Sequence, residues 1–312
     1  MSIVLIGDLS PAEYEFWGAG LSSHLPADET LVLAPQCQDP SAVDIAFAAN
    51  PAWGQLAAYP NLRFVQSLWA GVERLLHDAS LPQHVVIARL VDPAMAQSML
   101  EGAIAAALYV HRQFPAYLRQ QQSGTWRPLS QPVSARRKVG LLGFGQMGQP
   151  VARGLTALGF RVCAWGQHER SDTGVDYFWG TEGLKKVLGD THLLINLLPL
   201  TATTAGILNA PLFDQLAPGA ALINFGRGGH LQEEDLLAAL RTGQLSHAVL
   251  DVFKEEPLPA GHPFWSHRQI TVLPHVAAST DPESAAPIAV QNVAAFRAGR
   301  PLTGLVSRSL GY

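Results

Sequence analysis

Val139-Gly-Leu-Leu-Gly143-Phe-Gly145-Gln-Met-Gly148 carries an apolar, strand-like run straight into the helical pattern of residues 149–158 through the spacing GxGxxG. Each glycine answers a separate steric demand. Gly143 permits the tight strand-to-helix turn, Gly145 leaves room for a pyrophosphate to approach the backbone, and Gly148 lets helix and strand pack closely. The same turn aims a helix N-terminus, with its unpaired N–H groups, at the space where phosphates would sit. Glycine is common here, at 28 residues, and a tight turn needs it anyway. The strand–turn–helix frame is what makes the spacing a dinucleotide-binding reading.

Outward from the turn, the next strand-like run ends Trp165-Gly166-Gln167-His168-Glu169-Arg170. A carboxylate at that tip ordinarily grips a ribose 2′-hydroxyl, and here the tip is a glycine. With no acid at the tip itself, nothing there repels a 2′-phosphate and Arg170 is placed to pair with one, although Glu169 opposes it. Trp165, Gly166, Gln167 and Arg170 are therefore read as the cofactor-facing tip, with NADP(H) favoured and NAD(H) possible. Further strand-like runs recur at 193–197, 221–224, 248–251 and 270–272.

Before residue 100 the same alternation appears, with apolar runs at 3–6, 31–33, 43–47, 64–65 and 85–88 and helical spacing at 11–21 and 72–76. Apolar strands alternating with helices imply parallel sheets covered on both faces. Residues 93–122 form one long helical pattern rich in Ala, Leu and Met, kinked at most by Pro115, which suits a bridge between two domains. A last helix over 282–297 is expected to pack back on the first block. The expected fold class is α/β: two Rossmann-like parallel-sheet domains, one flavodoxin-like and one dinucleotide-binding, with the active site in the cleft between them. The substrate domain is residues 1–100 plus 282–312, and the dinucleotide-binding domain is 101–281.

Composition excludes several classes. Among 312 residues, 21 basic and 25 acidic side chains leave a net charge of −4, and no basic run marks a nucleic-acid surface. Charged residues make up 15%, against about 25% in an ordinary domain. With 48% hydrophobic residues, part of the surface is expected to be taken up in a homodimer. The longest apolar stretch, 103–110, lies between Glu101 and His111 and is far short of a bilayer span. The opening Met1-Ser-Ile-Val-Leu-Ile-Gly-Asp8 lacks a basic region and reads as a buried strand rather than a signal peptide. Cys37 and Cys163 have neither disulfide nor metal-ligand spacing, so no metal is expected and a reducing cytoplasm is the default.

Three segments place polar residues directly after apolar strands, where open parallel sheets bind ligands. They are Asn224-Phe-Gly-Arg227-Gly, Asp251-Val-Phe-Lys-Glu-Glu256-Pro and Pro274-His275-Val-Ala-Ala. Singly, each has an ordinary reading as a solvated loop arginine, surface carboxylates or a structural histidine. Together, a guanidinium, a carboxylate and an imidazole supply what reduction of a 2-keto acid requires. Arg227 would hold the substrate carboxylate and polarise the keto oxygen, and His275 would give a proton to the developing alkoxide. Glu256 would orient His275 and favour its charged form.

These segments, with Leu197-Leu-Pro199-Leu-Thr201, resemble in order the motifs of the D-isomer-specific 2-hydroxyacid dehydrogenase family. Trp165-Gly, Ile195-Asn-Leu-Leu-Pro199 and the ending Gly311-Tyr312 are most similar to its bacterial glyoxylate/hydroxypyruvate reductase A branch. The resemblance implies that Arg227, Glu256 and His275 form the catalytic triad and that Gln146 and Met147 offer backbone amides to the pyrophosphate. It implies that Leu198, Pro199 and Thr204 line the adenosine side and that Asp251 binds the nicotinamide carboxamide. It also implies that the loop Ser67-Leu-Trp69-Ala70-Gly71-Val72 holds the substrate carboxylate, with Trp69, Ala70 and Gly71 as binding residues. Met99 is either near the nicotinamide or ordinary helix core, and the resemblance also implies a homodimer.

Two positions depart from the family pattern. Gln167 stands where NADP-dependent members often carry arginine, and Trp69 replaces a small residue. Trp69 either narrows the pocket, packs on a larger apolar substrate, or anchors a domain interface. The expected activity is NADPH-dependent reduction of glyoxylate to glycolate or hydroxypyruvate to glycerate. The alternatives are a reductase for bulkier keto acids such as phenylpyruvate, and a non-catalytic dinucleotide-sensing interaction protein.

Overall fold

The computed structural model describes residues 2–171 and 174–312. They divide into two units, Met1–Met95 with Thr280–Tyr312, and Ala96–Ser279, where the sequence places the divisions at 100/101 and 281/282. In chain order the elements are β1 (Ser2–Gly7), α1 (Pro11–His24), β2 (Thr30–Leu33), β3 (Val43–Ala49), β4 (Phe64–Ser67), α2 (Glu73–Leu76), β5 (Val86–Ala88), α3 (Pro93–His111) and α4 (Phe114–Gln122). There follow β6 (Lys138–Leu142), α5 (Gly148–Ala157), β7 (Arg161–Gly166), β8 (Asp176–Trp179), α6 (Gly180–Leu188), β9 (Leu193–Asn196) and α7 (Ala210–Phe213). The chain ends with β10 (Ala220–Asn224), α8 (Glu233–Thr242), β11 (Leu245–Leu250), β12 (Ile270–Val272) and α9 (Pro282–Arg297).

The first unit carries a parallel sheet of order β2-β1-β3-β4-β5, the flavodoxin-like arrangement. Its central strand β3 is buried at every residue, which explains why it is apolar throughout except for Asp44, whose charge is paired with Arg297. The final helix α9 belongs to this unit and is tied to it by polar groups. Asn292 Nδ2 donates to Gln66 Oε1 at 2.7 Å, and Arg297 pairs with Glu29 and with the fully buried Asp44.

The second unit carries a seven-stranded parallel sheet of order β12-β11-β10-β9-β6-β7-β8. The order reverses between β6 and β9, so the crevice for a ligand lies outside the carboxyl ends of those two strands. Two local expectations change. The helix over 93–122 is two helices, because the chain turns at Gln113, whose φ is 61°. Pro115 does not kink it but sits in the first turn of α4, where its missing N–H breaks no helical bond. Strand β8 is an addition, built from Asp176-Tyr-Phe-Trp179 beside β7. Among the described residues, no helix is long and apolar enough to cross a membrane.

Candidate active site

The glycine turn separates its three tasks sterically. Gly143 takes φ 98°, and a Cβ there would lie 2.7 Å from the Leu197 carbonyl oxygen. A Cβ on Gly148 would lie 2.0 Å from the Gly143 oxygen, so that glycine is required for α5 to leave the turn at all. At Gly145 a Cβ would meet nothing within 4 Å. Folding therefore does not demand that glycine, and the open space beside it, at the N-terminus of a ten-residue helix, fits a pyrophosphate. Gln146 is exposed and Met147 half-exposed at the same turn.

Side chains around this crevice divide into two groups. Gln167 and Arg170 are exposed beyond the tip of β7, with Gln167 Nε2 donating to Thr203 Oγ1 at 2.5 Å. A Cβ on Gly166 would lie 2.4 Å from the Tyr177 hydroxyl, so a larger residue there would displace the end of that side chain. Trp165 is a correction: its indole is buried in the sheet's core and donates to the Gly180 oxygen at 2.9 Å. Its own carbonyl accepts from Gly143 N, so Trp165 holds the turn in place. Leu198 is core as well, and Thr204 is buried with its hydroxyl donating to the Pro199 oxygen at 2.7 Å, leaving Pro199 half-exposed. Met99 is ordinary helix core, packed in a cluster with Leu141, Phe144 and Val151.

The three candidate groups Arg227, Glu256 and His275 come after the carboxyl ends of β10, β11 and β12. Glu256 Oε2 lies 2.7 Å from His275 Nδ1, and Glu256 Oε1 accepts from the backbone N–H of Phe253 at 2.8 Å. Burial pushes the Glu256 carboxyl up, but its bonds to His275 and Phe253 and the charges of His275 and Arg227 outweigh that and hold it below its ordinary value. His275 takes φ 57°, a left-handed conformation costly for a bulky side chain and kept only where surroundings enforce it. Asp251 does the enforcing. Its backbone oxygen accepts from His275 N at 2.9 Å, and its carboxylate accepts from Val276 N at 2.8 Å and Ala277 N at 3.0 Å. Asp251 is buried, which raises its pKa against the lowering effect of those two amides. This revises its expected part: both carboxylate oxygens shape the histidine's loop.

Arg227 is half-buried in the turn after β10, its Nη1 donating to the Gly226 oxygen at 2.8 Å and its backbone N–H to His230 Nδ1 at 3.0 Å. A Cβ on Gly228 would strike the Phe253 carbonyl carbon at 1.9 Å. Glycine at 228 thus lets the arginine turn lie against the very backbone that Glu256 grips. The Arg227 turn, Glu256 and His275 thus adjoin one another in the second unit by way of Phe253.

In the first unit the loop after β4 presents Trp69, Ala70 and Gly71 half-exposed. Ser67 Oγ accepts from Trp69 N at 3.0 Å, and the Trp69 ring meets Trp17 edge-on, centroids 5.9 Å apart. Packing within its own unit thus accounts for one face of this indole. The sequence reading did not single out Asn196, Asn224 and His230, all three fully buried. The signal was there for the two asparagines, each a polar residue closing an otherwise apolar strand. Among the described residues, no group of three or more His, Cys, Asp or Glu side chains is arranged to hold a metal.

Residues 104–277 match the model of the D-isomer specific 2-hydroxyacid dehydrogenase family, NAD binding domain. The chain is 44% identical over 303 residues to glyoxylate/hydroxypyruvate reductase A of Serratia proteamaculans, covering 96% of each. It is 42% identical over 305 residues to the protein of the same name from Yersinia enterocolitica, covering 96% of this chain and 97% of that one. A D-isomer specific 2-hydroxyacid dehydrogenase from Xanthobacter autotrophicus Py2, solved with NADPH and MES, superposes with a TM-score of 0.94 at 34% identity, over 100% of this chain and 99% of that one. The NADPH-dependent glyoxylate/hydroxypyruvate reductase of Sinorhizobium meliloti, solved with NADP and sulfate, gives 0.92 at 36% identity over the whole of both chains.

Proposed function

The chain belongs to the D-isomer specific 2-hydroxyacid dehydrogenase family, and on that premise we propose that it reduces a small 2-keto acid, glyoxylate or hydroxypyruvate, with NADPH. The observation that carries this reading is the 2.7 Å contact between Glu256 and His275, with the Arg227 turn packed against the Phe253 backbone that Glu256 holds. The planar fork of Arg227 suits a bidentate grip on the substrate carboxylate and polarises the keto oxygen beside it. His275, fixed through Nδ1 by Glu256, directs Nε2 as the acid that protonates the alkoxide oxygen. Glu256, held ionised, compensates the imidazolium before that transfer and is left beside a neutral ring after it. When bound, the reduced nicotinamide supplies the hydride that adds to C2.

The amides at Gln146 and Met147, the half-exposed Pro199 and the exposed Gln167 and Arg170 are the groups we assign to holding the cofactor. Arg170 and Gln167, with glycine at the strand tip, favour the 2′-phosphate of NADP(H). The Trp69–Gly71 backbone amides are assigned to the substrate carboxylate. The first unit, taken as 1–100 plus 282–312, is the substrate domain of this reading, and 101–281 is its dinucleotide domain. We assign a homodimer from α4 and the segment after it, which expose Phe114, Leu118, Val133 and Trp126, the last 96% accessible. Two unpaired cysteines support a cytoplasmic location.

The test is kcat/KM for glyoxylate, hydroxypyruvate and phenylpyruvate, each measured with NADPH and with NADH. A preference for the two small acids with NADPH supports the reading, and a preference for phenylpyruvate or for NADH refutes the corresponding part of it.

A further inference from the structure

We propose that His230, together with Asn196 and Asn224, is a positioning device that aims Arg227 and ties its turn to the Leu198–Pro199 loop, an inference that rests on the reductase reading above. All three side chains are fully buried at the carboxyl ends of β9 and β10 and in the turn that follows. A buried polar group left without a partner costs about 1–3 kcal/mol, so polar residues among the aliphatic ones here need a reason.

Their hydrogen bonds run in one consistent direction. Asn196 Oδ1 accepts from Leu198 N at 3.3 Å, and Asn196 Nδ2 lies 2.9 Å from Asn224 Oδ1 and 3.0 Å from His230 Nδ1, donating to both. Arg227 N donates to the same His230 Nδ1 at 3.0 Å. Two donors converging on one ring nitrogen make it the bare one, so Nε2 carries the hydrogen and donates to the Pro199 oxygen at 3.2 Å. Arg227 O, 3.1 Å from Nδ1, takes its hydrogen from Asn224 Nδ2 at 3.2 Å instead.

Both backbone polar atoms of Arg227 are thereby gripped from inside the sheet. The flanking residues complete the grip. A Cβ on Gly226 would lie 2.7 Å from Asn196 Nδ2 and 3.0 Å from His230 Nδ1, and Gly228 is pressed against Phe253. The peptides on either side of Arg227 have no room to turn. A flexible side chain that must meet a carboxylate in one plane gains most from a fixed root, since a displacement of about 1 Å can cost about a hundredfold in rate. An aliphatic trio would fill the same space without specifying the direction of the turn. The other end of the imidazole holds Pro199, assigned above to the cofactor side. One ring thus joins the substrate-clamping turn to the cofactor loop.

The test is a double-mutant cycle with a rescue pair, read as kcat/KM for glyoxylate with saturating NADPH and with folding checked by circular dichroism. His230→Ala is expected to lower kcat/KM about ten- to a hundredfold in the wild-type background. In the Arg227→Ala background it is expected to change it less than about twofold, because with NADPH saturating, the cofactor-loop contact no longer limits and the remaining effect runs through the arginine. His230→Asn sets a carbonyl where Nδ1 stood and is expected to recover most of the loss. His230→Gln reaches toward Pro199, leaves Arg227 N unmet, and is expected not to. An equal loss in both backgrounds, or equal recovery by Asn and Gln, overturns the proposal. If His230→Ala does not fold, the Asn and Gln variants alone decide between these outcomes. Unaltered kcat/KM in Arg227→Ala alone would remove the arginine from the mechanism and this inference with it, whereas a wild-type protein that reduces neither glyoxylate nor hydroxypyruvate would overturn the reductase reading itself.

Discussion

Replacing Glu256 by glutamine removes the negative charge beside His275 and little else. Glutamine is the same size, and its carbonyl can keep the bond from Phe253 N now made at 2.8 Å. Its NH2 group then faces His275 Nδ1, which must become the bare nitrogen, so the charge-assisted bond of the pair is lost. A hydrogen bond to a charged group contributes about 1.5–3 kcal/mol. The two side chains are 50% and 35% accessible, and solvent screening moves the contribution to the low end of that range. About 1.5 kcal/mol corresponds to roughly a tenfold loss in kcat/KM, the floor of the expected effect. Losing the acid's correct tautomer outright would approach the roughly hundredfold or more that general acid catalysis contributes.

The sign of the pH effect follows from Glu256. Its carboxyl is held below its ordinary value of 4.5, so the ionised pair is complete above that pH and is lost as pH falls through the lower folded value. In Glu256→Gln that acid-side titration disappears. The assay is kcat/KM for glyoxylate across pH, followed by loss of NADPH absorbance. A variant within about twofold of wild type, with an unmoved profile, would show that the 2.7 Å contact plays no part in the reaction.

Gly145→Ala should leave the melting temperature of the apo protein unchanged and weaken NADPH binding about tenfold or more, since its Cβ meets nothing but the space assigned to phosphate. Gly148→Ala should instead lower the melting temperature, because its Cβ collides with a backbone oxygen at 2.0 Å; equal effects of the two on stability would contradict the division of tasks. Arg227→Ala is expected to reduce kcat/KM at least about a hundredfold while leaving NADPH affinity within a few-fold, read by fluorescence titration. Arg297→Met strips the cation from a fully buried Asp44 and should destabilise the first unit by about 3–5 kcal/mol in a urea titration; an unshifted midpoint would remove that pair from the stability argument.

Much of the architecture was legible in the chain because parallel strands are buried on both faces and read as predominantly apolar runs. The run 43–47 became β3 and the run 270–272 became β12, and the helix over 282–297 has those bounds. The GxGxxG spacing was informative because Gly148 answers a contact within the turn itself, which sequence records. Legibility failed where a side chain's direction depends on a distant neighbour. Trp165 follows the apolar pattern of its strand, and only the packing of α6 and the Gly180 oxygen shows that its indole points into the core. Thr204 looks like a loop hydroxyl until the Pro199 oxygen claims it. Gln113 broke a helix that Pro115 was expected to bend, because local propensity alone does not place a turn.

The order of residues alone therefore settled the two layered sheets, the glycine turn, and the presence of an arginine, a glutamate and a histidine after three successive strands. It settled these because strand periodicity and tight-turn sterics are short-range properties. Which atoms meet was assigned only by the folded chain. Asp251 holds the left-handed His275, and His230 joins Arg227 to Pro199, across stretches of chain that include whole strands and loops. Parallel pairing brings such residues together only once every crossover connection is in place.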